Sequence, residues 1–328
     1  MNKGVVVFGS SLIDINFFIP RTYLERQTDK DFLKLPYGAK IASKDYSFTT
    51  GGSGLNFAFG LKKLGGDVNF RTNLSDDVFS NYIRDELKKE EIEVIASEYS
   101  GSTPLSVVLR SSGDRTIITG ADHTKEDLDT DIPGDYWVHI GPMPDKNDRF
   151  LEKVNSARLK SNSGLSMNPS MAQIEERSRV FMATLKTMDL IFLNLLEALR
   201  LVRLSSRADI KDVCRAVHAL GPETVCITNG EKGAYVSNRS KIWYARVVCD
   251  EVCREDATGA GDAFGSGFLA FFLDDNESIS EDDIHQKCLK AAMLNSGSVV
   301  AKVGAKGGLL DRAKIEEDLG TVKIEVVK

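Results

Sequence analysis

The run Asp256-Ala257-Thr258-Gly259-Ala260-Gly261-Asp262-Ala263-Phe264-Gly265 is the part of this chain whose residue types and spacing best suit chemistry. It continues into Ser266-Gly267-Phe268-Leu269-Ala270-Phe271-Phe272, so a loop of small residues is expected to turn directly into a buried helix. Small side chains let the backbone N–H groups of Ala260, Gly261 and Asp262 converge at the helix start, where the helix dipole adds positive potential for a phosphoryl oxygen. Gly259, Ala260 and Gly261 are therefore candidates for an anion hole. A carboxylate facing phosphate is unfavourable unless a reacting hydroxyl lies between them, and a general base at Asp262 explains its placement. An Asp in a first helical turn also stabilises the helix by itself, so capping stands beside catalysis as a reading of Asp262.

Two common nucleotide motifs do not account for this run. The phosphate loop GxxxxGK[ST] is absent from the sequence. A dinucleotide fingerprint is expected after the first strand, with an acidic residue ~20 positions further on, whereas these glycines lie near the C-terminus.

The elements that must position this run read as a doubly wound α/β protein. Val5-Val6-Val7-Phe8, ending at Gly9-Ser10-Ser11, has the length and termination of a buried parallel strand. Strands are predicted at 68–71, 137–140, 165–168, 190–194 and 225–228, separated by helical stretches such as 53–64 and 146–159, an alternation that implies βαβ units. Two regions, about 15–50 and 102–118, break this rhythm with short β-prone pieces joined by Gly and Asp turns. They predict a small β appendage at the mouth of the sheet, placed to act as a lid, with an ordinary edge hairpin as the alternative. With no Pro/Ser-rich linker or internal repeat, residues 1–328 read as a single domain.

Composition narrows the function. A hydrophobic content of 42% over 328 residues supports a sizeable core. A net charge of -6 argues against general nucleic-acid or membrane-surface binding, which needs a basic face. With no long apolar segment and Met1 leading into a strand pattern, a cytoplasmic location is expected. Cys214, Cys226, Cys249, Cys253 and Cys288 are odd in number and scattered, which fits a reducing compartment, and no zinc-type spacing accompanies the nearest pair, Cys249 and Cys253.

The stretch from Asp256 to Asp262 closely resembles the C-terminal signature of ribokinase-like (PfkB) sugar and nucleoside kinases, whose last Asp is their catalytic base. Gly51-Gly52-Ser53-Gly54-Leu55-Asn56 resembles the family's N-terminal substrate motif, Asn194-Leu195-Leu196-Glu197 its Asn-x-x-Glu motif, and Thr228-Asn229-Gly230-Glu231-Lys232-Gly233-Ala234 its nucleotide-site turn. These motifs fall in the family's order from about Val5 to Gly308. The resemblance implies a ribokinase-like fold with a small β-sheet lid and an ATP-dependent kinase acting on a hydroxyl of a small carbohydrate. A nucleoside kinase of the same fold and a catalytically silent sugar- or nucleotide-binding relative are its alternatives. An NAD(P)-dependent oxidoreductase is a more distant one.

Residue by residue, the resemblance implies Asp262 as base and Asp14, Gly51, Gly52 and Asn56 as acceptor contacts. It places Asn194, Thr228 and Gly230 on ATP with Gly259 and Gly261, and Glu197 beside Mg²⁺ through water. Asn194 and Glu197 also have the spacing of a helix capping box, which can hold at the same time. Val299 to Gly308 resembles the family's adenine and cation loop. A K⁺ site involving Asp256 and Thr258 is implied there, against the plain reading of a Gly-rich turn closing a helix. Arg115, on the lid, is a weaker candidate for substrate or phosphate. Ser53 departs from the family pattern, standing where ribokinase and several relatives carry Lys. The segment from Asp14 to Gly51 is long and holds Phe17, Phe18, Tyr37, Tyr46 and Phe48. These rings suit stacking on a nucleobase, packing of the lid, or a homodimer interface.

Overall fold

A computed structural model describes residues 3–27, 31–111, 114–120, 128–143, 148–248, 256–274 and 280–327. Among them, a ten-stranded sheet runs in the order Ile324–Val326, Ile242–Ala245, Ala234–Ser237, Thr224–Thr228, Leu190–Asn194, Leu165–Met167, Trp137–Ile140, Val5–Phe8, Val68–Ser75, Glu93–Tyr99. From Thr224–Thr228 to Glu93–Tyr99 all neighbours pair in parallel, and the three strands on the other side are antiparallel. The continuous apolar strands read from the sequence are these parallel ones. They are buried on both faces, so every residue of Val5–Phe8 and Trp137–Ile140 is buried.

Alternation along each strand divides the core into two layers. Val5 and Val7 pack with Phe57 of the helix Ser53–Lys63, with Phe264, Phe268 and Phe271 of Ala260–Phe272, and with Leu289 of Glu281–Val300. Val6 and Phe8 pack on the other face with Phe150, Phe181 and Val213. Each fully buried Phe contributes ~1.5–3 kcal/mol of transfer free energy, so the three phenylalanines of Ala260–Phe272 anchor that helix firmly to the sheet.

Chain direction reverses around Val5–Phe8. The chain first winds outward to Val68–Ser75 and Glu93–Tyr99, then returns to Trp137–Ile140 on the opposite side. In open α/β sheets, ligand crevices form at such a switch point, beyond the strand C-termini. Here Gly9, just past the first strand, meets Gly54 so closely that a Cβ on Gly54 would lie 2.5 Å from the Gly9 Cα. That approach draws the N-terminus of Ser53–Lys63 onto the crevice.

A separate four-stranded sheet has the order Tyr46–Gly51, Leu12–Phe18, Leu105–Ser111, Asp114–Thr119. It gathers the two segments that broke the βαβ rhythm. Asp14 lies inside its strand Leu12–Phe18, whereas the sequence places it just ahead of the appendage. Directly paired residues share a face, so Asp14, Asn16, Thr49, Ser106, Val108 and Arg110 form one side. Ile15, Phe17, Tyr46, Phe48, Val107 and Leu109 form the other.

Candidate active site

Asp262 lies in the first turn of Ala260–Phe272, whose N-cap Gly259 has φ 74°. A Cβ at Gly259 would collide with Ala305 as well as strain the backbone, so this turn needs glycine. The Asp262 carboxylate reaches across to the helix Ser53–Lys63. Its Oδ1 accepts a hydrogen bond from the Ser53 hydroxyl, and its Oδ2 accepts one from Asn56 Nδ2 at 3.0 Å. Burial pushes its pKa up to about 6 against the lowering effect of those two donors. A carboxylate in that range is ionised at neutral pH yet basic enough to take a hydroxyl proton.

Asn56 is itself 5% exposed, and its Oδ1 is buried with no hydrogen-bond partner. An unpaired buried amide oxygen costs roughly 1–3 kcal/mol, a penalty that a donating ligand hydroxyl would remove. Gly52 is the N-cap of this helix. The preceding Gly51 leaves room for the Asp14 carboxylate, since a Cβ there would overlap Asp14 Oδ2. Asp14 is hydrogen-bonded to the Ser106 side chain, and burial raises its pKa. The structure therefore brings Asp14, Gly51, Gly52, Asn56 and Asp262 into one contiguous arrangement, with Ser53 completing it.

On the other side of the turn, a cleft of about 470 Å³ is lined by Thr228, Gly230, Ala257, Ala260, Gly261 and Phe264, among others. Met293 and Val300 of the following long helix add apolar wall, giving the concave, largely apolar form of a nucleotide-sized site. Asn194 pairs in register with Thr228 at the C-terminal ends of adjacent strands. The capping box is present in full. Asn194 Oδ1 accepts from the Glu197 N–H at 2.9 Å and Glu197 Oε2 accepts from the Asn194 N–H at 2.8 Å. Burial raises the Glu197 pKa.

A buried carboxylate at a glycine-flanked helix start, with Asp14 and Asn56 on one side and a cleft of about 470 Å³ on the other, is an arrangement suited to phosphoryl transfer. The model of the pfkB family carbohydrate kinases matches residues 2–310. This chain belongs to that family. The kinase is accordingly placed among ATP-dependent phosphotransferases with an alcohol group as acceptor, not among NAD(P)-dependent oxidoreductases. The ribokinase of Haemophilus influenzae is 24% identical to it over 301 residues, 88% of this chain and 94% of the relative. The cytidine kinase of Thermococcus kodakarensis is 27% identical over 179 residues, 53% of this chain and 59% of the relative. The structure of a ribokinase from Giardia lamblia shares the fold with a TM-score of 0.77 at 18% identity, covering 98% of this chain and 99% of the other.

Around the turn the kinase adds Arg110 and Lys306, which sequence reasoning passed over, to Asp256, Thr258 and Arg115, which it named. Asp256, 2% exposed, accepts at Oδ1 from the Thr258 N–H (3.0 Å) and hydroxyl (2.7 Å), and at Oδ2 from the Gly304 N–H (2.8 Å). Arg110 of the small sheet places NH1 2.5 Å from the same Oδ2. Burial opposes ionisation of Asp256, but these donors together hold its pKa below the usual carboxylate value. Arg115 stands with Nε 3.9 Å from Asp256 Oδ1. Lys306 of the late glycine loop bonds to Glu86 at 2.7 Å and to Thr50, and lies 4.2 Å from the centroid of the Phe59 ring. A signal for Arg110 was present in the sequence. Within Leu105–Ser111 it falls in phase with Ser106 and Val108, the buried positions, so a guanidinium is carried on the inward face.

Cys214, Cys226 and Cys288 are buried free thiols, while Cys249 and Cys253 lie outside the described residues. Among the described residues no helix is long and apolar enough to cross a membrane.

Proposed function

We propose that this kinase transfers the γ-phosphoryl group of ATP to a primary hydroxyl of a small carbohydrate, with Asp262 as the base. The observation that carries this reading is the Asp262 carboxylate, with a pKa of about 6, held by Ser53 and Asn56 beside a buried Asn56 oxygen that lacks a partner. The acceptor hydroxyl takes over the Oδ1 position that the Ser53 hydroxyl holds in the free enzyme. A second sugar hydroxyl donates to Asn56 Oδ1, Asp14 accepts from others, and Gly51 and Gly52 allow the ring to approach the backbone.

ATP occupies the cleft against Thr228 and Gly230, with Asn194 toward the phosphates. The γ-phosphoryl group rests on the N–H groups of Ala260, Gly261 and Asp262 at the helix start following Gly259. Asp262 takes the proton as the hydroxyl oxygen attacks phosphorus in line and ADP leaves. The capped Glu197 offers a fixed carboxylate of the hard-oxygen type that Mg²⁺ takes through water, and the ion neutralises phosphate charge when bound. The small sheet acts as the lid that excludes water, within a single functional unit. Its second face, bearing Ile15, Phe17, Tyr46, Phe48, Val107 and Leu109, is the surface through which we expect a homodimer to form.

Sheet geometry favours a sugar over a nucleoside. Phe17, Tyr46 and Phe48 project from the face opposite Asp14, and Phe18, on the Asp14 face, lies with its ring 6.0 Å from the Arg110 guanidinium carbon. An ADP-release screen across sugars, phosphosugars and nucleosides tests this reading. Turnover is expected with a free sugar, and turnover confined to nucleosides would overturn the substrate class.

A further inference from the structure

Resemblance to the kinase family implies a monovalent cation at Asp256 and Thr258, and the residues present do not fit one. Such an ion takes carboxylate and carbonyl oxygens that are otherwise uncommitted. Both oxygens of Asp256 are already engaged, Oδ1 by Thr258 and Oδ2 by the Gly304 N–H and Arg110 NH1. The ion pair is closed to solvent, with the two side chains 8% and 0% exposed. Arg110 is also fixed from behind, since Asn16 Oδ1 accepts from its Nε at 3.0 Å and its NH2 at 2.8 Å. Arg115 adds a second positive charge 3.9 Å from Oδ1.

We propose that Arg110, carried by the small sheet, supplies the positive charge that balances Asp256 beside the phosphate turn, so that this kinase works without a monovalent cation there. A cation placed within about 4 Å of a guanidinium in a semi-buried setting loses roughly a thousandfold in affinity through like-charge repulsion. Arg110 therefore excludes the ion and replaces it. It acts as a positioning residue, because Asp256 holds Thr258 and Gly304 on either side of the turn in which the Ala260 and Gly261 amides lie. Asn16 makes the guanidinium a fixed fork, for which a lysine ammonium is a partial substitute. The inference rests on the phosphate-turn reading above.

Its test is the affinity for the Mg²⁺ complex of AMP-PNP, measured by calorimetry in tetramethylammonium chloride and in KCl at equal ionic strength. For the wild type the two affinities should agree within twofold, and the melting temperature should be equally indifferent to K⁺. A K⁺-dependent gain in affinity of fivefold or more overturns the proposal. Arg110→Ala should bind AMP-PNP at least tenfold more weakly and recover in part with millimolar guanidinium or with K⁺. Arg110→Lys should retain more of the affinity and remain indifferent to K⁺. An Arg110→Ala variant with wild-type affinity in tetramethylammonium would also overturn the role. If that variant does not fold, the wild-type comparison and Arg110→Lys still decide. None of these readouts depends on which group is the base, so failure of the Asp262 assignment would show separately.

Discussion

At the scale of the residue, the kinase turns on how one carboxylate is held. Asp262 is crowded enough to titrate near 6, with Ser53 and Asn56 each pulling that value down. With Asp262 as the proposed base, activity requires its ionised form, and kcat/KM should be level at neutral pH and fall tenfold per unit below about pH 6. Removing a donor to the charged form favours the protonated one. Ser53→Ala should therefore move the acid limb upward by ~0.5–1 unit, as a pH–rate profile will show, and a limb that stays put or moves down would deny Ser53 this contact. The type and position of Asp262 were legible in the sequence, because a glycine-flanked acid at a helix start is a local pattern. Ser53 was legible only as a departure from the family motif. Its bond to Asp262 spans 209 positions along the chain, and no local pattern encodes that meeting.

At the scale of the element, two helix starts converge on the switch point, and glycine makes one approach possible. Gly54 lets Ser53–Lys63 begin directly against Gly9, which sets the reach of Ser53 and Asn56 toward Asp262. Gly54→Ala must push backbone from backbone. We expect ~1–3 kcal/mol of destabilisation in denaturant unfolding and a ~10–10²-fold loss of turnover through misplacement of the helix. A fully active, fully stable variant would mean that the helix start does not align the site. The central parallel strands were legible because burial on both faces leaves uninterrupted apolar runs. The antiparallel strands Ala234–Ser237, Ile242–Ala245 and Ile324–Val326 were not, since they are short and the last pairs Val326 with Trp243, far along the chain. Asn194 and Glu197 were readable as a capping box from spacing alone, and the cap is formed. Arg110 was missed although its phase was visible, because a buried guanidinium makes sense only once Asp256 and Asn16 are known to face it.

At the scale of the whole molecule, a buried ring stack within one core layer ties the sheet to the helix Ser53–Lys63. His139 of the central strand Trp137–Ile140 lies on Phe57 with centroids 3.5 Å apart, and its Nδ1 is 2.9 Å from Ser166 Oγ. Burial pushes its pKa down to about 3 from an ordinary 6.5. Below pH 6.5 the unfolded chain therefore binds a proton that the folded one refuses, and stability falls as pH drops toward 3, by ~1.4 kcal/mol per unit from this group. His139→Gln removes that dependence. The stability advantage of wild type over this variant should shrink by about that slope between pH 6 and 4 in urea titrations, and a constant difference would contradict the assignment. In the proposed account, the two sheets, their helices and the turn at 256–262 set one acid between the acceptor contacts Asp14 and Asn56 and the cleft at Thr228 and Gly230. The most direct measurement of that account is Asp262→Asn assayed for both AMP-PNP binding and phosphoryl transfer. Binding should stay near wild type while transfer falls by ~10²–10⁴, and near-normal transfer in this variant would contradict Asp262 as the base.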